Sequence, residues 1–127
     1  MKILIDTNRY TDFMKNESTA REIFANADRI LVPFVTVAEL RAGFNCGTRS
    51  RENEAILAKF LSNRRVEVLY ADAETLFVYA NLYADLRRRG CPIPTNDLWI
   101  GALAVQHSLP LCSRDSHFDS MPQVSRV

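Results

Sequence analysis

Apolar residues along this chain follow two rhythms, short unbroken runs and helical spacing, and the two alternate. Ile3-Leu4-Ile5 is the first run, led by Lys2 and closed by Asp6, with the turn formers Thr7 and Asn8 straight after. It reads as a short strand buried on both faces. Ile30 to Phe34, Val66 to Tyr70 and Leu109 to Cys112 repeat the pattern, and Val124 to Val127 offers a short fifth strand. Between them the spacing predicts helices over Asn8–Lys15, with Tyr10, Phe13 and Met14 inward, and over Ser18–Asn26, with Thr19 and Glu22 at capping-box spacing. A third helix runs from Thr36 to about Phe44, and a fourth over Arg51–Ser62 with Ala55, Ile56, Phe60 and Leu61 as its apolar face. Asp72 caps a longer helix, Ala73–Arg89, with Leu76, Tyr79, Ala80, Tyr83 and Leu86 along one side and Gly90 past its end. Asp97–His107 is so uniformly apolar that it should be buried on most sides. Strands alternating with helices predict an α/β fold with a mainly parallel sheet. In such sheets the ligand site lies beyond the carboxyl ends of the strands, which makes Asp6 the first place to look.

Composition narrows the picture without changing it. At 127 residues the chain is expected to form one domain, 1–127, able to bury roughly two thirds of its unfolded surface without disulfides. Cys46, Cys91 and Cys112 are odd in number and lack a C-x-x-C pair, which fits a reducing cytoplasm. The apolar start is too short for a signal peptide, and no run approaches the ~18 residues of a membrane span. A net charge of +1 does not by itself announce a polyanion partner. Yet all but three of the sixteen cations are arginine, whose planar fork suits phosphate. Bound divalent cations would tip the balance further that way.

Four carboxylates share one local setting, at a strand end or on the first turn of a helix: Asp6, Glu39, Asp97 and Asp115. In a parallel sheet they would face one edge. Clustered acids cannot all stay ionised unless a cation offsets their repulsion, so the pattern points to magnesium or manganese. Such ions activate water for attack on phosphorus and steady the leaving oxygen. Three of the acids have a competing structural role. Glu39 stands at N3 of a capping box opened by Thr36, Asp97 suits the helix dipole, and Asp115 suits a turn, with Asp119 as its substitute. Asp6 has none, since Asn8 can meet any capping need there. His107 ends a helix and His117 lies in a polar turn, and neither is expected to be catalytic. Tyr79 and Tyr83 are expected in the core, and Cys112 should be inert. Arg87, Arg88 and Arg89 are placed to satisfy a helix C-terminus, with phosphate contact as their second reading. No glycine-rich nucleotide-binding loop is present.

The motifs, taken in order, resemble the PIN domain family, and within it the VapC toxins of bacterial toxin–antitoxin pairs. They are Ile-Leu-Ile-Asp6-Thr7-Asn8, Thr36-x-x-Glu39-Leu40, Ile93-Pro94-x-Asn96-Asp97-x-x-Ile100 and Ser113-Arg114-Asp115-x-x-Phe118. The resemblance spans essentially the whole chain. It implies a three-layer fold, a parallel sheet flanked by helices, and RNA cleavage dependent on magnesium or manganese. Asp6, Glu39 and Asp97 match the family's three most regular acids, and Asp115 matches the fourth. Thr7 or Ser113 would orient a metal-bound water. A homodimer and an antitoxin that wraps the helices near the site are also implied. Arg9, Gly101 and Ser113 depart from the usual residues without removing a carboxylate. Arg9, Arg114 and Arg87 to Arg89 are candidates for the RNA backbone. A phosphatase using Asp6 as nucleophile fits less well: position 8 is Asn where one type needs an acid, and the last lysine is Lys59 where another needs one late. The alternative from another class is a catalytically silent RNA-binding or interaction module.

Overall fold

The computed structural model describes residues Met1 to Val127. Four parallel strands, β1 (Lys2–Ile5), β2 (Arg29–Pro33), β3 (Val66–Leu69) and β4 (Leu111–Cys112), form one sheet in the order β3-β2-β1-β4. Each crossover is helical: α1 (Thr7–Met14) and α2 (Ser18–Asn26), then α3 (Phe34–Cys46) and α4 (Ser50–Leu61), then α5 (Ala73–Arg88) and α6 (Thr95–Gln106). A short 3-10 helix over Ser116–Ser120 follows β4. This is the α/β fold that the alternating pattern predicts.

Successive strand residues point to opposite faces, so a strand inside a covered sheet must be apolar throughout. β1 shows this directly, with Ile3, Leu4 and Ile5 all fully buried. Leu4 joins a core with Leu82 and Leu86 of α5, Leu98, Ile100 and Leu103 of α6, and Phe118. Ile3 and Ile5 join the opposite core, with Tyr10, Phe24, Val37, Leu40 and Leu57 from α1 to α4. No helix is long and apolar enough to cross a membrane.

Several local expectations are corrected. The cap of α2 is Glu17, which accepts from the Thr19 and Ala20 amides, so Thr19 and Glu22 form no capping box. α3 begins at Phe34, two residues early, with Pro33 at its cap and Thr36 buried inside the helix. The Thr36 capping box therefore does not form, and Glu39 is free of it. Met14, Ile56, Leu76 and Tyr83 are exposed where an inward position was expected. In α4 and α5 the burial falls instead on Leu57 and Leu82, while Leu86 is buried as expected. The fifth strand shrinks to one parallel bridge between Leu111 and Arg126, because β4 is itself only two residues long. Cys112 is buried as expected, and burial pushes its thiol up to about 11. Gly101 stands in α6 where a Cβ would meet the Sδ of Met121 at 2.7 Å. Met121 already fills the space that an alanine would take.

Candidate active site

Chain order reverses across β1, since β2 lies on one side and β4 on the other. That switch point opens a crevice at the carboxyl ends of the two strands, and the first residues to leave them line it. Asp6 leaves β1, and Ser113-Arg114-Asp115 leaves β4.

Asp6 is 4% exposed. Its Oδ1 accepts from the Arg9 amide at 2.9 Å, which makes Asp6 the N-cap of α1. This corrects the expectation that Asn8 would meet the capping need. Oδ2 accepts from Ser113 Oγ. Burial raises the pKa of Asp6, the bonds from Ser113 and the Arg9 amide pull it down, and the charge of Asp115 pushes it up. Ser113 Oγ also accepts from the Asp115 amide at 3.0 Å, so one hydroxyl ties both acids together.

Glu39 projects from α3, where its Oε1 accepts from Thr7 Oγ1 at 2.9 Å. Asp97 stands on the first turn of α6. Burial raises its pKa foremost, then the charge of Asp115; His117 lowers it, and Glu39 raises it again. The four carboxylates named from sequence thus form a series of neighbours in the order Asp6, Asp115, Asp97, Glu39, and Thr7 and Ser113 hold the two at its ends.

One residue in this group was missed. His117 Nδ1 lies 2.9 Å from Asp97 Oδ2 and 3.1 Å from Asp115 Oδ1. One donor atom from each of Asp97, Asp115 and His117 falls within 4.8 Å of the others. The available signal was the Asp115-x-His117 spacing in the turn after β4, which puts both side chains near the acid edge. Asp119, considered as a substitute for Asp115, pairs with Arg126 at 2.9 Å and faces solvent.

The arginines are mostly engaged with other carboxylates. Arg114 donates to Asp12 at 2.9 Å and holds that carboxyl below its usual range. Arg9 reaches Asp12 at 3.4 Å and Glu17 at 3.5 Å, with its side chain only 12% exposed. Arg88 and Arg89 pair with Asp85, and Arg89 also donates to the Ser120 carbonyl. Arg87 pairs with no carboxylate and, with Tyr83, Ile93 and Leu98, lines a cavity of about 340 Å³ beside the start of α6.

The donor set fits a hard divalent cation. Asp6 and Asp97 are driven towards protonation by burial and by neighbouring charge, which a cation among them would reverse.

The fold agrees with comparisons to known proteins. The PIN domain model matches residues 3–124. The chain is 34% identical over 110 residues to Ribonuclease VapC1 of Haemophilus influenzae, covering 83% of this chain and 80% of the relative. It is 31% identical over 100 residues to Ribonuclease VapC5 of Mycobacterium tuberculosis, covering 79% and 74%. The solved structure of VapBC-1 from nontypeable Haemophilus influenzae matches with a TM-score of 0.89 at 26% identity, over 100% of this chain and 97% of that one. The chain belongs to the PIN domain family.

Proposed function

We propose that this chain is a metal-dependent endoribonuclease, the toxin of a type II toxin–antitoxin pair. The observation that carries the reading is a run of neighbouring acids beyond the β1/β4 switch point, Asp6 beside Asp115, Asp115 beside Asp97 and Asp97 beside Glu39. The relatives named as ribonucleases support the activity, and the VapBC complexes among the similar structures support an antitoxin partner. In this reading residues 1–127 are one nuclease domain working in the cytoplasm as a homodimer.

Asp6, Asp97 and Glu39 would hold a divalent cation, magnesium or manganese, directly or through water, with Asp115 completing that shell or binding a second ion. When bound, the ion polarises a phosphoryl oxygen and makes water a nucleophile near neutral pH. Ser113 donates to the Asp6 carboxylate, which favours its ionised form and aims it, and the acceptor bond of the same hydroxyl fixes the backbone that carries Asp115. Thr7 donates to Glu39 and orients its carboxylate. Of the arginines singled out from sequence, Arg87 is the freest to meet an RNA phosphate. Arg9, Arg88, Arg89 and Arg114 would first exchange a carboxylate partner for one.

Cleavage of total cellular RNA by the partner-free chain tests this, with manganese or magnesium, with EDTA, and with Asp6→Asn. Discrete fragments that need both the metal and Asp6 are expected. A folded chain that leaves RNA intact in every metal would make it a silent binding module.

A further inference from the structure

His117 is the basic side chain in contact with Asp97 and Asp115, and the reading above gives it no task. Its placement is set by the backbone. The His117 amide donates to Asp115 Oδ1 at 2.9 Å, and the next residue, Phe118, is 1% exposed and anchors the 3-10 helix in the core. The ring is thereby turned towards the acids. Neighbouring cations do not compete for this position, because Arg114 is engaged by Asp12 and Arg126 by Asp119.

The separations have a chemical meaning. Adjacent ligands on an octahedral ion with bonds of about 2.1 Å lie ~3 Å apart. Nδ1 stands 2.9 and 3.1 Å from the two carboxylate oxygens. An ion among these three groups would find one nitrogen and two oxygen donors with little rearrangement.

We propose that His117 is a nitrogen ligand of the cation centre, completing with Asp97 and Asp115 a mixed site that favours a first-row transition ion over magnesium. This rests on the acids being a cation centre. Magnesium takes oxygen ligands and keeps its waters, so an imidazole adds little to its affinity, whereas transition ions accept imidazole readily. The competing role for His117 is a hydrogen bond that neutralises the two acids. The two roles have opposite signs. Removing a ligand weakens ion binding, while removing a hydrogen-bonding competitor strengthens it or leaves it unchanged.

The test titrates the full chain with manganese, following free ion by electron paramagnetic resonance, and with magnesium by competition. His117→Gln should weaken manganese binding about tenfold or more, by analogy with the loss of supporting groups at metal sites, and leave magnesium binding within about twofold. Pulsed resonance on manganese-loaded wild type should show coupling to a nitrogen nucleus that His117→Gln and His117→Ala both lose. The wild-type spectrum needs no variant to fold. Manganese binding equal or tighter in the variants, without nitrogen coupling in the wild type, overturns the assignment. If wild type binds manganese, loses it in Asp6→Asn, and is indifferent to His117→Gln, only this inference fails. If wild type binds neither ion, the cation centre fails and the inference with it.

Discussion

Asp6 divides its two oxygens between tasks that need the same charge. One caps α1 through the Arg9 amide and the other accepts from Ser113. Both bonds favour the carboxylate, while burial and Asp115 oppose it, and the net direction is upward. Asp97 moves the same way. An acid whose pKa is raised on folding binds its proton more tightly in the native chain. Its stabilising contribution is complete below the unfolded pKa and is lost as pH rises through the folded one. Asp12, lowered foremost by its bond from Arg114, acts in the opposite sense and loses its contribution as pH falls. Asp97→Asn removes one repelling charge at nearly constant size. Above the usual carboxylate range, we expect the melting temperature of the metal-free chain to rise by about 3 °C, with the gain vanishing at lower pH, and cleavage to fall by about 10³-fold or more. Melting curves across pH and a cleavage assay read the two effects. A variant less stable than wild type at neutral pH would show that the Asp97–His117 bond outweighs the repulsion.

Among elements, the segment after β4 is held from both sides. Arg114 ties it to α1 through Asp12. Arg126 returns from the chain end to donate to the carbonyls of Ser113 at 2.8 Å and Asp115 at 3.2 Å. These bonds fix the backbone from which Ser113 and Asp115 project. Arg126→Ala leaves both carbonyls short of a donor and should cost about 1–2 kcal/mol, lowering the melting temperature by ~5 °C. Denaturant titration would measure it, and an unchanged midpoint would mean that the 3-10 helix holds the loop unaided. None of this was legible, because Arg114 and Asp12 are 102 residues apart in sequence. The helices show a related limit. α4 and α5 carry apolar residues around much of their circumference, so Leu57 and Leu82 were as eligible for burial as Ile56 and Tyr83, and the neighbouring helices decided. Tyr79 does pack inward, its ring centroid 4.2 Å from that of Trp99, whereas Tyr83 remains half exposed.

At the scale of the molecule, Leu76 and Phe77 leave α5 56% and 69% exposed, with Tyr70 just before the helix equally bare. Large apolar side chains left in water suit burial against a partner. In the proposed homodimer these residues are expected to lie between the two copies. Phe77→Asp should then shift the purified chain from dimer to monomer in light scattering after size exclusion, with little change in its circular dichroism. A variant that stays dimeric would place the interface elsewhere.

The sequence determined that strands alternate with helices, that β1 is buried on both faces, and that Asp6, Asp97 and Asp115 stand at or beside the ends of elements, with Glu39 a turn inside α3. Those are local properties, written in runs of a few residues. Tertiary structure decided that β4 lies against β1, because strand order depends on which helices can cover which face. That placement brings Ser113 onto Asp6 from 107 residues away and carries Asp115 and His117 against Asp97. It also withdraws Arg114 to Asp12, which Arg9 meets locally at i,i+3 spacing on α1.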